Sequence, residues 1–314
     1  MTYLGEIISI LVAVSWTASA IFSELASKKI GSLTLNVVRM SMSLFFLALI
    51  LWLTVGKPYP VYADANTWLW LSLSGFVGYV LGDYCLFKCY ISIGSRFGQL
   101  LMTVAAPVAA VAAWAILDEK MSDTAIIGMI VTIAGIAMSI FGKNEDNKVK
   151  LKLPLVGLLY GLAAATGQGV GLVLSKYGMQ FYQQSLEANN ASLGMMMPVA
   201  STMIRAIMGF VGFTVALFFF SRSGYTRINN AVRNGKAMIF TFSACMFGPV
   251  IGVSLSLMAT LYTSTGVAQT IMALAPVFIL LPAYLLFNQK ITVLEITGAV
   301  VSVIGVNLFF IQSR

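Results

Sequence analysis

Residues 76–120 read FVGYVLGDYCLFKCYISIGSRFGQLLMTVAAPVAAVAAWAILDEK, and residues 246–290 read MFGPVIGVSLSLMATLYTSTGVAQTIMALAPVFILLPAYLLFNQK. At an offset of 170 positions the two run together without a gap, and the match continues through Phe141 and Ile311. Gly78, Gly82, Gln99, Met102, Ala105 and Lys120 meet Gly248, Gly252, Gln269, Met272, Ala275 and Lys290; further on, Gly128 and Gly135 meet Gly298 and Gly305. The glycines carry the inference, because any two apolar segments share Leu and Val by chance. A repeat of this length fixes architecture before any local reading does. The copies differ at two instructive places. Asp83 meets Val253, and Asp118-Glu119-Lys120 meets Asn288-Gln289-Lys290, an acid-to-amide swap that keeps shape and removes charge.

Of the 314 residues, 59% are hydrophobic and 10% charged, with a mean hydropathy of +0.90. A soluble domain sits nearer ~45–50% apolar and ~25% charged, so this is a polytopic membrane protein. In a soluble chain a net charge of +8 would suggest nucleic acid; here the cations sit in loops and report orientation, with the lipid bilayer as partner and no nucleic acid. The absence of histidine excludes His-based metal sites, haem ligation and His-dependent triads. Cys85, Cys89 and Cys245 all fall in apolar segments. Cys85 and Cys89 share a helix face, which suits packing better than a disulfide or a metal site. No metal or cofactor is expected. No basic residue precedes the first apolar run, so Ala18-Ser19-Ala20, although it resembles a signal-peptidase site, is read as part of a retained first helix.

A spanning helix needs ~20 predominantly apolar residues. Ten candidates occur, at 5–26, 33–55, 67–91, 95–117, 122–142, 153–176, 199–220, 237–260, 264–287 and 291–312. They are helices because lipid cannot satisfy open backbone groups, and they are too long and uniformly apolar for barrel strands. The dense charge run Gly142–Leu153 divides the chain into a first five-helix repeat (1–142), a linker (143–152) and a second repeat (153–314). Tyr177–Pro198 and Ser221–Gly235 read as loops, and Met195-Met196-Met197 as the interfacial start of the seventh helix. The sequon Asn190-Ala191-Ser192 is too short to carry weight.

Five is odd, so the second copy must enter the membrane the opposite way round, giving two inverted repeats. The early helices match more loosely: Arg39 parallels Arg205, and Ser27-Lys28 parallels Ser175-Lys176. Counting alternate sides, Lys28, Lys29, Arg96, Lys143, Lys148, Lys150, Lys152, Arg222, Arg227, Arg233, Lys236 and Lys290 share one face, against Lys57, Lys120, Lys176 and Arg314 on the other. The positive-inside rule makes the first face cytoplasmic and places both termini outside.

The pattern resembles the EamA-type branch of the drug/metabolite transporter superfamily along nearly the whole chain. The residues that carry the resemblance are Trp16, Ala106-Pro107, Ala275-Pro276, Glu119-Lys120, and the glycine-spaced Ile127-Gly128…Ala134-Gly135 and Thr297-Gly298…Ile304-Gly305. The second copy departs from the family pattern at Gln289, where an acid is usual. The resemblance implies ten helices, secondary transport of small metabolites, often export, and a central cavity lined by helices 1, 3, 4, 6, 8 and 9. It also implies cytoplasmic termini, against the cation count.

Ionisable groups within the membrane are costly and are functional candidates by default. Arg39, Asp83, Lys88 and Arg205 qualify. Arg39 lies roughly 9 Å into its helix at 1.5 Å per residue, at a depth matching Asp83, so the two are expected to pair, with Glu24 as a competing partner. A carboxylate freed from such a pair can carry a coupling proton. Lys88, nearer the surface, is expected to snorkel. Arg205 has no carboxylate mate, because Val253 stands where Asp83 would; a substrate carboxylate or phosphate is one candidate partner, backbone carbonyls another. Gln99 and Gln269 either bond between helices or face the cavity, with Thr103 one turn beyond Gln99. Gln168 among glycines, Ser254, and the aromatic residues Trp16 and Tyr84 complete the candidate substrate-binding set, with Tyr79 and Trp114 as further aromatic candidates.

These readings converge on a secondary transporter, monomeric or homodimeric, moving a small polar metabolite, zwitterionic or anionic, in a plasma membrane of bacterial inner-membrane type. Proton coupling or exchange would drive it. A channel or receptor fits the same composition. A membrane-embedded enzyme would need a nucleophile–base pair or an acidic metal cluster that the spans do not offer, and no GxxxxGK[ST] loop exists for ATP.

Overall fold

The computed structural model describes residues 3–119, 123–143, 149–151, 153–220, 223–287 and 293–308. The fold is helical. In the first repeat α1 (Leu4–Ile30) and α2 (Ser32–Val55) are followed by α3 (Ala65–Gly75), a π-helical segment (Phe76–Asp83), α4 (Tyr84–Met102), α5 (Ala105–Leu117) and α6 (Asp123–Ile140). A small antiparallel ladder, β1 (Phe141–Lys143) with β2 (Val149–Leu151), occupies the linker that the charge run marks as a loop. The second repeat comprises α7 (Leu155–Ala188), a 3-10 turn (Gly194–Met196), α8 (Met197–Phe220), α9 (Gly224–Arg233) and α10 (Gly235–Cys245). After a second π segment (Met246–Val253) come α11 (Ser254–Tyr262), α12 (Thr265–Met272), α13 (Ala275–Phe278), α14 (Leu280–Phe287) and α15 (Val293–Asn307).

The outer surface is the reverse of a soluble protein's. Phe45, Trp52, Leu53, Ile130, Val215, Phe219 and Phe220 are exposed, whereas Glu24, Asn36, Arg39 and Arg205 are buried. An apolar exterior of this extent is a lipid-facing one. Trp114, also exposed, belongs to that exterior.

Six segments are long and apolar enough to cross a membrane: Leu4–Ile30, Ser32–Val55, Ala65–Met102, Leu155–Ala188, Gly194–Phe220 and Gly235–Tyr262. The expected fourth and ninth helices fall short because each is built from pieces. Gly94 takes φ 83° within α4, a left-handed value open to glycine without strain, so residues 95–102 turn away from the helix before them and lead toward α5. A second interruption at Thr103-Val104 recurs at Ala273-Leu274, 170 positions on.

The expected loops need correction. Tyr177–Pro198 is largely helix, because α7 continues to Ala188 after its apolar run ends. That last stretch pays its way by holding the connection after α2: Tyr182 Oη donates to the Val61 carbonyl at 2.8 Å and Ser185 Oγ to the Tyr62 carbonyl at 2.6 Å. Within Ser221–Gly235 lies α9, an amphipathic helix whose buried residues are Gly224 and Ala231. In the same connection after α2, Asp64 caps α3, accepting the Thr67 amide at 2.9 Å and the Thr67 hydroxyl at 2.5 Å, and these bonds hold its carboxyl below the ordinary range. Lys120, Asn288, Gln289 and Lys290, where the copies exchange acid for amide, fall outside the described residues except for Asp118 and Glu119.

The repeats exchange partners. α1 packs on α10, the second π segment and α11, whereas α7 packs on α3, the first π segment and α4. The first helix of each half therefore embraces the third of the other. α6 and α15 form the most extensive contact among the described elements, and it is reciprocal. Thr132 Oγ1 donates to the Ser302 carbonyl at 3.3 Å and Ser302 Oγ to the Thr132 carbonyl at 3.4 Å. A Cβ on Gly135 would lie 2.4 Å from the Ser302 amide nitrogen, and one on Gly305 would lie 2.4 Å from that of Thr132.

Alanine has the better helix propensity by about 1 kcal/mol, but a methyl at that distance from backbone must force the helices apart, at a typical cost of about 1–3 kcal/mol. Gly135→Ala and Gly305→Ala should each lower the unfolding temperature in detergent. Gly235→Ala, with open space around it, should not; equal effects at all three sites would contradict the tight crossing.

Candidate functional site

A cavity of about 60 Å³ lies between the two halves. One wall comes from α1 (Trp16, Ser19, Ala20, Ser23) and α2 (Arg39). The first π segment and α4 contribute Tyr79, Asp83, Phe87, Tyr90, Gln99 and Met102. α7 supplies Gln168, and the second copy adds Gly248, Pro249, Val253, Gln269, Met272 and Pro276. Both repeats thus present matched positions to one space: Gln99 with Gln269, and Met102 with Met272.

Two local features aim these side chains. Each π segment inserts an extra residue per turn, a geometry found mostly as short insertions at functional sites. Here it occurs at 76–83 and again at 246–253, the same positions of the two copies. Close backbone approach then seats them. A Cβ on Gly167 or Gly171 would come within 3.0 Å of first-copy backbone at Val77, Gly78 or Gly82, so α7 presses against the first π segment and brings Gln168 over Asp83.

Asp83 is the hub. Arg39 Nη2 donates to Asp83 Oδ2, and Gln168 Nε2 donates to Asp83 Oδ1 at 2.7 Å and to the Gly78 carbonyl at 3.0 Å. Arg39 Nη2 also reaches Asn36 Oδ1 at 3.0 Å, and its guanidinium stands 4.7 Å from the Phe87 ring centre. Gln99 Nε2 donates to Tyr90 Oη at 2.6 Å. Several buried polar atoms on lining residues have no partner: Ser23 Oγ, Arg39 Nε, Tyr79 Oη and Gln269 Oε1. Buried polar groups are nearly always satisfied, and these four unmatched atoms belong to residues that border one cavity. A water needs ~10–15 Å³ of such space, which leaves room for a few waters or the polar end of a small ligand.

The expected site residues divide. Asp83, Arg39, Gln168, Gln99, Gln269 and Trp16 come together around the cavity. Glu24 does not compete for Arg39; it is held by Lys28 Nζ at 2.5 Å and the Ser95 amide at 2.6 Å. Thr103 turns away and donates to the Leu100 carbonyl at 2.7 Å, closing the helix interruption. Ser254 is buried but not on the wall, where its neighbour Val253 stands instead. Tyr84 packs edge-on to Tyr160 with centroids 6.5 Å apart, and Lys88 Nζ lies 5.8 Å from the Tyr84 ring. Arg205 stands one ring back: its guanidinium lies 4.9 Å from the Tyr79 ring centre, Tyr79 is the lining residue, and Arg205 Nε has no partner. Tyr90, Phe87 and Ser23 escaped the sequence reading, since aromatic and serine residues in apolar helices carry no signal of which way they face. Among the described residues no group of three acidic or thiol side chains is arranged to hold a metal ion.

Two helical repeats with apolar exteriors, and between them a cavity whose largely apolar wall carries Arg39, Asp83 and three glutamines, define a multi-pass membrane protein of the transporter class. The EamA-like transporter family matches the chain twice, over residues 3–141 and 155–311, and the chain belongs to that family. Membership makes it a membrane transporter of the drug/metabolite superfamily. No curated protein matches it in sequence. Its fold is similar to that of 26 solved chains. One is a crystal structure described only as that of a protein, 12% identical, with a TM-score of 0.64, covering 98% of this chain and 96% of the other.

Breaking a buried ion pair from one side costs about 3–5 kcal/mol, whereas replacing both partners by apolar residues is often neutral. Arg39→Met alone should therefore lower thermal stability in detergent more than Arg39→Met combined with Asp83→Leu. A double variant less stable than the single would show that Arg39 and Asp83 are not each other's main partner.

Proposed function

We propose that this chain is a ten-span secondary transporter of two inverted five-helix repeats, carrying a small zwitterionic or anionic metabolite through the cavity by alternating access. The observation that carries this reading is the set of unmatched polar atoms on Ser23, Tyr79, Arg39 and Gln269 around the Arg39–Asp83 pair, at the boundary between the repeats. Six spans become ten when residues 95–117 and 265–287 count as single interrupted crossings and α6 and α15 as one crossing each. Charge supports the ligand class: two buried guanidiniums, Arg39 and Arg205, surround one carboxylate, Asp83, so an incoming carboxylate or phosphate completes the balance. Arg39 is the direct contact, and Arg205 acts through Tyr79.

Trp16, Tyr79, Phe87 and Tyr90 would cover the ligand's apolar body, with Gln99, Gln168 and Gln269 bonding its polar groups. Asp83 exchanges Arg39 for a proton during the cycle, which couples flux to a proton gradient. The physiological role in this reading is export from a bacterial inner membrane, by a monomer or homodimer without cofactor or enzymatic step. The channel reading predicts a different flux.

Reconstituted protein should show saturable uptake of small amino- or phospho-carboxylates, driven by a gradient. Arg39→Gln should raise KM about tenfold or more, as loss of a charge-assisted hydrogen bond would, and Arg205→Gln by less. Asp83→Asn should lose stimulation by a pH gradient while keeping exchange of labelled for unlabelled substrate. Flux that never saturates, or that survives Arg39→Gln unchanged, would falsify the carrier reading.

A further inference from the structure

Ser95 and Thr265 occupy equivalent positions of the two copies, 170 residues apart. Each opens a helical stretch that reaches the cavity one turn later, at Gln99 and at Gln269. Each has its amide held by a carboxylate that also holds a lysine. Glu24 accepts the Ser95 amide at 2.6 Å on Oε2 and Lys28 Nζ at 2.5 Å on Oε1. Glu119 accepts the Thr265 amide at 3.3 Å on Oε2, and on Oε1 it accepts Lys176 Nζ at 2.7 Å and the Thr265 hydroxyl at 3.2 Å.

The lysines are equivalent too, each following the paired serine of the first helix of its repeat (Ser27-Lys28 and Ser175-Lys176). The carboxylates are not. Glu119 follows α5, whereas Glu24 comes from α1; the counterpart of Glu119 is the amide Gln289, and the counterpart of Glu24 is Leu172. The same clamp has been built twice from different parts of the chain.

The two clamps face opposite ends of the cavity. Following the spans in order, Glu24, Lys28 and Ser95 lie on the face that carries the linker, and Glu119, Lys176 and Thr265 lie on the face that carries Tyr3. We propose that these clamps are the two gates of the transport cycle. Each fixes the first turn of a cavity-lining helix to the first helix of a repeat, and each must release for the cavity to open on its own face. Glu24 and Glu119, with Lys28 and Lys176, are positioning residues: they lie beyond the cavity wall and set which face the wall opens to. The linker-face clamp is the tighter, with the shorter amide bond and a Glu24 side chain 1% exposed against 24% for Glu119. This proposal rests on the ten-span reading above, and its test must separate the two.

The test is labelling by a membrane-impermeant maleimide in a cysteine-free background in oriented vesicles, with no substrate required. Gln99→Cys, with reagent added from the linker face, reports opening there, and Gln269→Cys, with reagent added from the opposite face, reports opening on that side. Arg233→Cys and Lys57→Cys, both exposed, serve as fixed markers of the two faces. Glu24→Gln should speed labelling of Gln99→Cys and slow that of Gln269→Cys, and Glu119→Gln should do the reverse. Each ratio should move about tenfold, the worth of one charge-assisted hydrogen bond. Lys28→Gln and Lys176→Gln remove the lysine contact from each carboxylate and leave its amide bond in place; they should move the ratios in the same directions by less, which keeps the test decisive if a glutamate variant does not fold. Substitutions that leave both rates unchanged, or shift both the same way, would overturn the gates while leaving the ten-span reading intact. Markers that label from the same face would overturn both.

Discussion

What the rest of this molecule depends on is the approach of two helices at backbone distance. Lipid offers no hydrophobic drive between helices, so association must come from packing and from hydrogen bonds across small residues. α7 meets the first π segment through Gly167 and Gly171, where a Cβ would come within 3.0 Å of backbone at Val77, Gly78 or Gly82. That approach carries Gln168 to Asp83, and Asp83 in turn ties α7 to Arg39 of α2. Three helices from two repeats are joined at one carboxylate. The second copy makes the matching approach with different residues: Ser15 Oγ donates to the Phe247 carbonyl at 2.7 Å, and Trp16 fills the space beside Gly252. The scaffold is symmetric, and its polar chemistry is not.

The same chemistry explains why the two buried arginines serve different ends. Arg39 and Arg205 are repeat mates, and each lies against a glycine of the other copy's π segment or its own partner's, Gly248 for Arg39 and Gly78 for Arg205. Asp83 exists only once. The arginine that reaches it lines the cavity; the arginine beyond Tyr79 lends charge at a distance. An asymmetric carboxylate in a symmetric frame gives the cavity a charged side, at Arg39 and Asp83, and a less polar side at Val253.

Much of this was legible in the sequence. The gapless repeat announced the architecture, and of its glycines Gly135 and Gly305 sit where the backbones of two helices touch. Arg39 and Asp83 could be paired by depth alone, because a charge in an apolar helix has few places to go. Facing direction was not legible: Thr103 and Tyr84 have the right chemistry for a ligand, but one satisfies its own helix interruption and the other packs on Tyr160. Helix length misled where composition changed without structure changing. α7 outruns its apolar stretch to anchor the connection after α2, whereas the break at Gly94 falls where the apolar runs 67–91 and 95–117 divide. The acid-to-amide swap at Gln289 reads as a loss in the sequence. In the fold the Ser95 amide is held by Glu24, which no alignment of the copies would connect to Glu119.

The reciprocal crossing of α6 and α15 has one more consequence. A contact in which Gly135 meets Ser302 and Gly305 meets Thr132 is self-complementary and closes on itself, as a two-fold interface between separate copies does. Joining both partners in one chain turns that encounter from a bimolecular event, subject to dilution in the bilayer, into an intramolecular one with an effective concentration set by the short linker. The surface is then already occupied. Mass action no longer governs how the halves find each other, and the stoichiometry of one half to its inverse is held at unity by the peptide bond.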